Sequence, residues 1–359
     1  GQHPTDVLAD VQAAASGFVL VYSADAAHRI DVVDPDGDRR GELALPYPSA
    51  VVALHGRSGS DEVFVGFGSF TRRLEIRRLD LAVTPIDVAV VPSGDDVAGA
   101  SVTAARRHAT STDGTAVPFT MVRRSDLPDG PRPTLLYGYG GFEISLTPGY
   151  SASVGRAWLT QGGVYVVANI RGGGEYGPRW HKAAMRENRN KAYEDFAAVA
   201  EDLIARKITT PAHLGIQGGS NGGMLMGNMT VMYPQLFGAV VCQVPLLDMK
   251  RYSHLLAGAS WMAEYGDPDT ADWDFLQKYS PYQNVRKDVT YPPVLFTTST
   301  RDDRVHPGHA RKMMARMKEQ GHDVLYYENI EGGHGGAANN EQAAFMQALA
   351  YTFLKKKLF

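Results

Sequence analysis

With 359 residues, 44% hydrophobic and 21% charged, the chain has the composition of an ordinary soluble globular protein, long enough for one large domain and part of a second. A formal net charge of −3 removes any general attraction to nucleic acid or anionic membrane, and neither is expected as a partner. The lone cysteine, Cys242, excludes an intrachain disulfide, and no apolar run approaches the length of a membrane span.

The opening Gly1-Gln2-His3-Pro4 has neither an initiator methionine nor a signal-peptide pattern, which is expected of a fragment. The expected compartment is the cytoplasm, unless chain ahead of Gly1 carries an export signal. From 6 to 97, short β-prone runs at 18–22, 29–33, 50–54, 62–67 and 74–78 recur roughly every ten to fifteen residues, the spacing of antiparallel meanders. Counting weaker runs, about eight strands make about two four-stranded blades, too few to close a propeller. Asp34-Pro35-Asp36-Gly37-Asp38 looks superficially like a calcium loop, but Pro-Asp-Gly is turn chemistry and the later glutamate is missing. A tight turn is expected there.

A turn-rich stretch, Pro92-Ser93-Gly94-Asp95-Asp96, leads to a domain boundary at 97/98. Strand-like runs 102–108 and 116–122 follow, joined by the hairpin turn Ser111-Thr112-Asp113-Gly114. Strand and helix then alternate. Strands are expected at 134–139 and 164–170, then a helix over 191–207 with Tyr193, Phe196, Val199, Ala200, Leu203 and Ile204 on one face. Next come a strand at 213–217, a Met/Leu-rich helix and an apolar strand at 239–244, where Cys242 reads as buried. An excursion over 245–293 carries Trp261, Tyr265 and Trp273, after which strands at 294–298 and 324–330 alternate with helices at 309–320 and 340–357. Continuous apolar strands between amphipathic helices imply an α/β fold with a mostly parallel sheet covered on both faces. The expected domains are thus an all-β partial propeller over 1–97 and a mostly parallel α/β domain over 98–359.

Between the strand at 213–217 and the next helix lies Gly218-Gly219-Ser220-Asn221-Gly222-Gly223. In strand–turn–helix context a Gly-x-Ser-x-Gly motif forms a sharp elbow that exposes the serine hydroxyl, with glycines at 218 and 222 permitting the bend. A serine is a poor nucleophile until a base takes its proton, and a histidine does so best when a carboxylate orients it. Such groups gather at the carboxyl ends of parallel strands. There the chain offers Arg301-Asp302-Asp303-Arg304 and Gly332-Gly333-His334-Gly335-Gly336, in the order Ser, Asp, His that this architecture uses. His334, one of eleven histidines, stands out because paired glycines flank it after the last strand. Spacing does not choose between Asp302 and Asp303. Of the two oxyanion donors required, one falls to the backbone N–H of Asn221 and the other to the loop Tyr137-Gly138-Tyr139-Gly140-Gly141-Phe142. Gly172-Gly173-Gly174-Glu175-Tyr176-Gly177 matches a dinucleotide-binding fingerprint with Asp195 downstream, but Pro178 follows at once and Asp195 falls inside a predicted helix, so nucleotide binding is not expected.

Five stretches together resemble the prolyl oligopeptidase family: Leu136-Tyr137-Gly138-Tyr139-Gly140-Gly141-Phe142, Ala168-Asn169-Ile170-Arg171-Gly172-Gly173-Gly174-Glu175-Tyr176-Gly177, the elbow at Ser220, Asp302-Asp303-Arg304-Val305 and Gly333-His334-Gly335. From about residue 98 onward the chain is similar to that family's catalytic domain, and residues 1–97 to the last two blades of its seven-bladed propeller. The resemblance implies Asp302 as the triad acid and the Tyr139 phenol as the second oxyanion donor. It implies that Arg304 holds a substrate carbonyl, and that Phe142, Trp261, Tyr265 and Val305 form an apolar pocket for proline, Trp261 stacking on the ring. Leu246 falls near a smaller pocket residue of the family. The expected activity is cleavage of short peptides on the carboxyl side of proline, with no cofactor and no metal. The alternatives are an esterase or acyl-peptide hydrolase on the same fold, or an inactive binding module. Most of the propeller, thought to exclude folded proteins, is missing; the expected partner beyond peptide substrates is that N-terminal segment as a separate chain.

Overall fold

A computed structural model of the chain describes residues 6–46, 48–83, 86–91 and 101–359. The opening four residues, the turn at 92–96 and the boundary at 97/98 lie outside the described residues. Strands β1 (Val7–Ala14), β2 (Gly17–Ala24), β3 (Ala27–Val33) and β4 (Arg39–Leu43) form one antiparallel meander. A second contains β5 (Ala50–Gly56), β6 (Glu62–Gly68), β7 (Glu75–Asp80) and β8 (Asp87–Val91). Period-two burial along β2 turns Val19 and Val21 inward, where with Ile30 and Val32 they meet Val63, Val65, Phe67 and Leu79 of the second sheet. The turn at 34–38 spends its acidic capacity on itself: Asp34 Oδ1 accepts from the backbone N–H groups of Asp36 at 3.0 Å and Asp38 at 2.8 Å.

The large sheet comprises β9 (Val102–Thr110), β10 (Ala116–Arg124), β11 (Thr134–Tyr137), β12 (Val164–Ala168), β13 (Leu214–Gly219), β14 (Ala239–Gln243), β15 (Val294–Ser299) and β16 (Val324–Asn329). Their order is β16-β15-β14-β13-β11-β12-β10-β9. Strands β9 and β10 pair as the expected hairpin, β10 is antiparallel to β12, and the remaining pairs are parallel. Helices are α1 (Ala152–Ala157), α2 (Pro178–Lys182), α3 (Asn190–Ala205), α4 (Asn221–Met232), α5 (Met262–Tyr265), α6 (Trp273–Leu276), α7 (Pro281–Asn284), α8 (Gly308–Glu319) and α9 (Asn340–Leu358). Adjacent residues on one strand feed opposite cores. Leu136 and Val240 join Phe196 of α3, Met224 of α4 and Met313 of α8, whereas Leu135 and Val241 join Val154 of α1 and Leu354 of α9. Two covered faces explain why these strands are apolar throughout instead of alternating. The sheet with helices on both faces fits an α/β-hydrolase domain, and the excursion over 245–293 supplies α5, α6 and α7 with 3-10 turns between them.

Cys242 lies buried on β14, and burial pushes its thiol far above the ordinary value. Asp195, the residue a ribose would need, is fully buried in α3 and accepts from Arg171 Nε at 2.9 Å and its terminal nitrogen at 2.6 Å. Arg171, directly ahead of the glycine-rich loop, is thereby held in an internal ion pair. No described helix is long and apolar enough to cross a membrane.

Candidate active site

Strand β13 runs directly into α4, and Ser220 at the junction takes φ 59°, ψ −120°, a conformation that costs a non-glycine residue about 1–3 kcal/mol. Close packing enforces the bend. A Cβ on Gly218 would sit 2.5 Å from the Gly222 carbonyl oxygen, and one on Gly222 would sit 2.9 Å from that of Gly138. Gly223 is equally constrained, 2.7 Å from the Gln243 oxygen and Pro245 Cα. The Ser220 N–H donates to the Gln243 carbonyl at 2.9 Å, tying the elbow to β14.

Two neighbouring strand ends bring the partners. Asp302 follows β15 and is 4% exposed, while Asp303 beside it is exposed, so burial separates the two candidates that spacing left equal. Asp302 Oδ1 accepts from the N–H groups of Arg304 at 3.0 Å and Val305 at 2.9 Å, and Oδ2 meets His334 Nδ1 at 2.8 Å. Burial works against its charge, yet the His334 bond and the two backbone N–H groups outweigh it and hold the carboxyl below its ordinary pKa. An ionised carboxylate only accepts, so Nδ1 carries the proton and Nε2, 3.0 Å from Ser220 Oγ, is free to receive one. The His334 loop after β16 is braced by Asn329 Oδ1, which accepts from Glu331 N at 2.9 Å and Gly332 N at 2.8 Å.

Asn221 opens α4, so its N–H is among the four that a helix does not pair internally. Burial of the Tyr139 phenol, after β11, raises its pKa, partly offset by its interaction with Ser220 and by the nearby charges of Arg189 and Arg304. The phenol therefore stays protonated at neutral pH and able to donate. Phe142 and Tyr265 meet edge to face with ring centroids 5.6 Å apart, and Val305, 3% exposed, lies in the same core, with half-buried Trp261 packed against it. Leu246 is buried in that core, and Arg304 is exposed. The arrangement is suited to proton abstraction from a serine and to holding a developing oxyanion beside an aromatic wall.

Beneath it lies a set of residues that the sequence did not single out. Arg189, 1% exposed, donates to Glu264 Oε1 at 3.0 Å and to Asn221 Oδ1 at 2.5 Å. Glu264 also accepts from Phe142 N at 3.0 Å and bonds His181 Nε2 at 2.7 Å. Nothing in the local sequence of Arg189 signals this, because its acid partner is 75 positions away.

Comparison with known proteins places these features in a lineage. The sequence profile of the prolyl oligopeptidase family matches residues 150–359, more than half of the chain. An uncharacterized peptidase of Sinorhizobium fredii is 48% identical over 88% of this chain and 44% of its own length, and a prolyl endopeptidase of Elizabethkingia miricola is 32% identical over 94% and 48%. The chain thus spans about half the length of the curated relatives it matches. Among solved structures, one from a mechanistic study of two prolyl endopeptidases superposes with a TM-score of 0.95 at 37% identity, covering 100% of this chain and 53% of that one. Prolyl oligopeptidase B of Galerina marginata, bound to a 35mer hydrolysis and macrocyclization substrate, gives 0.95 at 27% identity over 100% and 51%. With a profile match across the elbow and both partner loops, this chain belongs to the prolyl oligopeptidase family.

Proposed function

We propose that the chain is a serine peptidase that hydrolyses short peptides on the carboxyl side of proline. The observation that carries this reading is the unbroken hydrogen-bond chain from Ser220 Oγ through His334 to Asp302. In this mechanism Ser220 attacks the scissile carbonyl while His334 Nε2 takes its proton. Asp302 fixes the ring and stabilises the imidazolium that forms. The Asn221 N–H and the Tyr139 phenol receive the oxyanion, and His334 returns the proton to the leaving amine. Water then cleaves the acyl-enzyme by the same route. Proline lacks an N–H and is compact and apolar, so the aromatic pair Phe142 and Tyr265, with Trp261 and Val305, suits its ring. Arg304 is assigned to the neighbouring substrate carbonyl. The catalytic unit is 98–359, and 1–97 is a pair of propeller blades.

The test is hydrolysis of Z-Gly-Pro p-nitroanilide beside alanine and arginine analogues and simple esters. The chain is expected to prefer the prolyl substrate, and Ser220→Ala to lose at least about 10⁴-fold in turnover without unfolding. Turnover retained in Ser220→Ala refutes the nucleophile; preference for esters or acyl-peptides moves the assignment to those hydrolases. Failure of a fluorophosphonate to label Ser220 leaves an inactive binding module.

A further inference from the structure

A buried cation at the start of a helix is doubly unfavourable: it is desolvated, and it faces the positive end of the helix dipole. Arg189 is such a residue, 1% exposed and immediately ahead of α3. Its charge is answered by Glu264 at 3.0 Å, by the Ala184 carbonyl at 3.3 Å and by two aromatic faces, Tyr265 at 5.3 Å and Tyr193 at 6.0 Å from the guanidinium. The remaining fork nitrogen points at the Asn221 carboxamide.

That carboxamide is a three-way clip. Its Oδ1 accepts from Arg189 at 2.5 Å and from the Tyr265 hydroxyl at 2.7 Å, and its Nδ2 donates to the Tyr139 carbonyl at 2.6 Å. Two donors on one side and one acceptor on the other leave a single orientation for the amide. Through it the first turn of α4 is fastened both to the residue bearing the phenol and to a ring of the aromatic wall. Gly141 makes room, since a Cβ there would lie 2.7 Å from Asn221 Nδ2 and 3.0 Å from the Arg189 guanidinium. Glu264 extends the same frame to Phe142, whose φ of 56°, followed by 57° at Glu143, is a strained pair that the Phe142 N–H bond to Glu264 restrains.

We propose that Arg189 is a positioning residue: by locking the Asn221 carboxamide, it holds the Asn221 N–H and the Tyr139 phenol at the spacing an oxyanion requires. The proposal rests on Ser220 being the nucleophile. A purely structural ion pair stabilises the fold whether or not Asn221 keeps its side chain. A positioning residue acts through that side chain, and the two roles separate in a double-mutant cycle.

The rate at which a fluorophosphonate modifies Ser220 is measured in the wild-type chain, Arg189→Met, Asn221→Ala, which retains the backbone N–H, and the double variant, with circular dichroism reporting the fold. Each single change is expected to slow labelling roughly tenfold to a hundredfold, and the double variant to be within about threefold of the slower single. A wild-type rate in folded Arg189→Met, or effects that multiply in the double variant, overturns the proposal. If Arg189→Met does not fold, Arg189→Lys takes its place in the cycle. It keeps the charge but not the planar fork, so the same slowing is expected and a wild-type rate overturns the idea. A wild-type chain that is not labelled at all removes the nucleophile itself and the proposal with it, a result distinguishable because it precedes any variant.

Discussion

Asp302 carries a charge at a position nearly closed to water, and the groups that hold it there make that charge a contribution to stability. Its pKa in the fold lies below the ordinary carboxylate value: burial opposes ionisation, and the bonds from His334, Arg304 N and Val305 N more than compensate. A depressed folded pKa contributes stability that is fully present above the unfolded value, about 3.9, and is lost as pH falls through the lower folded value. Asp302→Asn is therefore expected to lose less stability than wild type between neutral pH and about pH 3, read as urea midpoints across that range; parallel acid limbs refute it. The same variant is expected to cut turnover of the prolyl substrate by roughly 10⁴-fold, because an amide stabilises the wrong histidine tautomer. The choice between Asp302 and Asp303 was not legible from spacing, since consecutive residues after a strand differ only in which one the fold buries. Arg189 and Glu264 escaped for a related reason: each looks like an ordinary surface charge until distant loops close over both.

The elbow is the element where sequence and geometry agree most closely, since a Gly-x-Ser-x-Gly between a strand and a helix admits few backbone paths. What the motif did not reveal is how unequal its glycines are. A Cβ on Gly218 would meet the Gly222 carbonyl oxygen at 2.5 Å, whereas one on Gly219 would meet nothing closer than Gln243 Cβ and oxygen at 3.7 Å. Gly218→Ala is expected to destabilise the protein by about 1–3 kcal/mol and to slow fluorophosphonate labelling of Ser220, while Gly219→Ala stays near wild type in thermal midpoint. Equal effects from the two substitutions would show that the bend is not set by these contacts. Strand positions in the large sheet were legible from apolar runs, but not the insertion of β12 between β10 and β11. That order depends on which strand edge remains open when the helices pack, information that no local pattern carries.

At the scale of the molecule, the tip of the β2–β3 hairpin joins the first sheet to the α/β domain. Asp25 there pairs with Arg106 of β9 at 3.1 Å and accepts from the Tyr176 hydroxyl, while Ser23 Oγ donates to the Glu175 carbonyl at 3.4 Å. The eight strands of the two small sheets were countable from sequence, but this docking was not, because it unites residues some eighty and one hundred and fifty positions apart. Its reach extends toward the site: Glu143 N donates to the Gly172 carbonyl at 3.2 Å, and Glu143 directly follows Phe142 of the aromatic wall. Asp25 is about half exposed, so solvent screening limits the ion pair to under about 1 kcal/mol. Asp25→Ala is accordingly expected to raise amide hydrogen exchange in the 172–177 loop and the hairpin tip by up to about fivefold, with β15 and β16 unchanged. Raising salt to about 1 M should reproduce part of that increase in wild type and add little in the variant, since screening and substitution remove the same attraction. Exchange that rises equally across the large sheet would instead mean global destabilisation, and exchange that does not change would mean that the hydrogen bonds of Ser23 and the apolar contacts between the sheets carry the docking unaided.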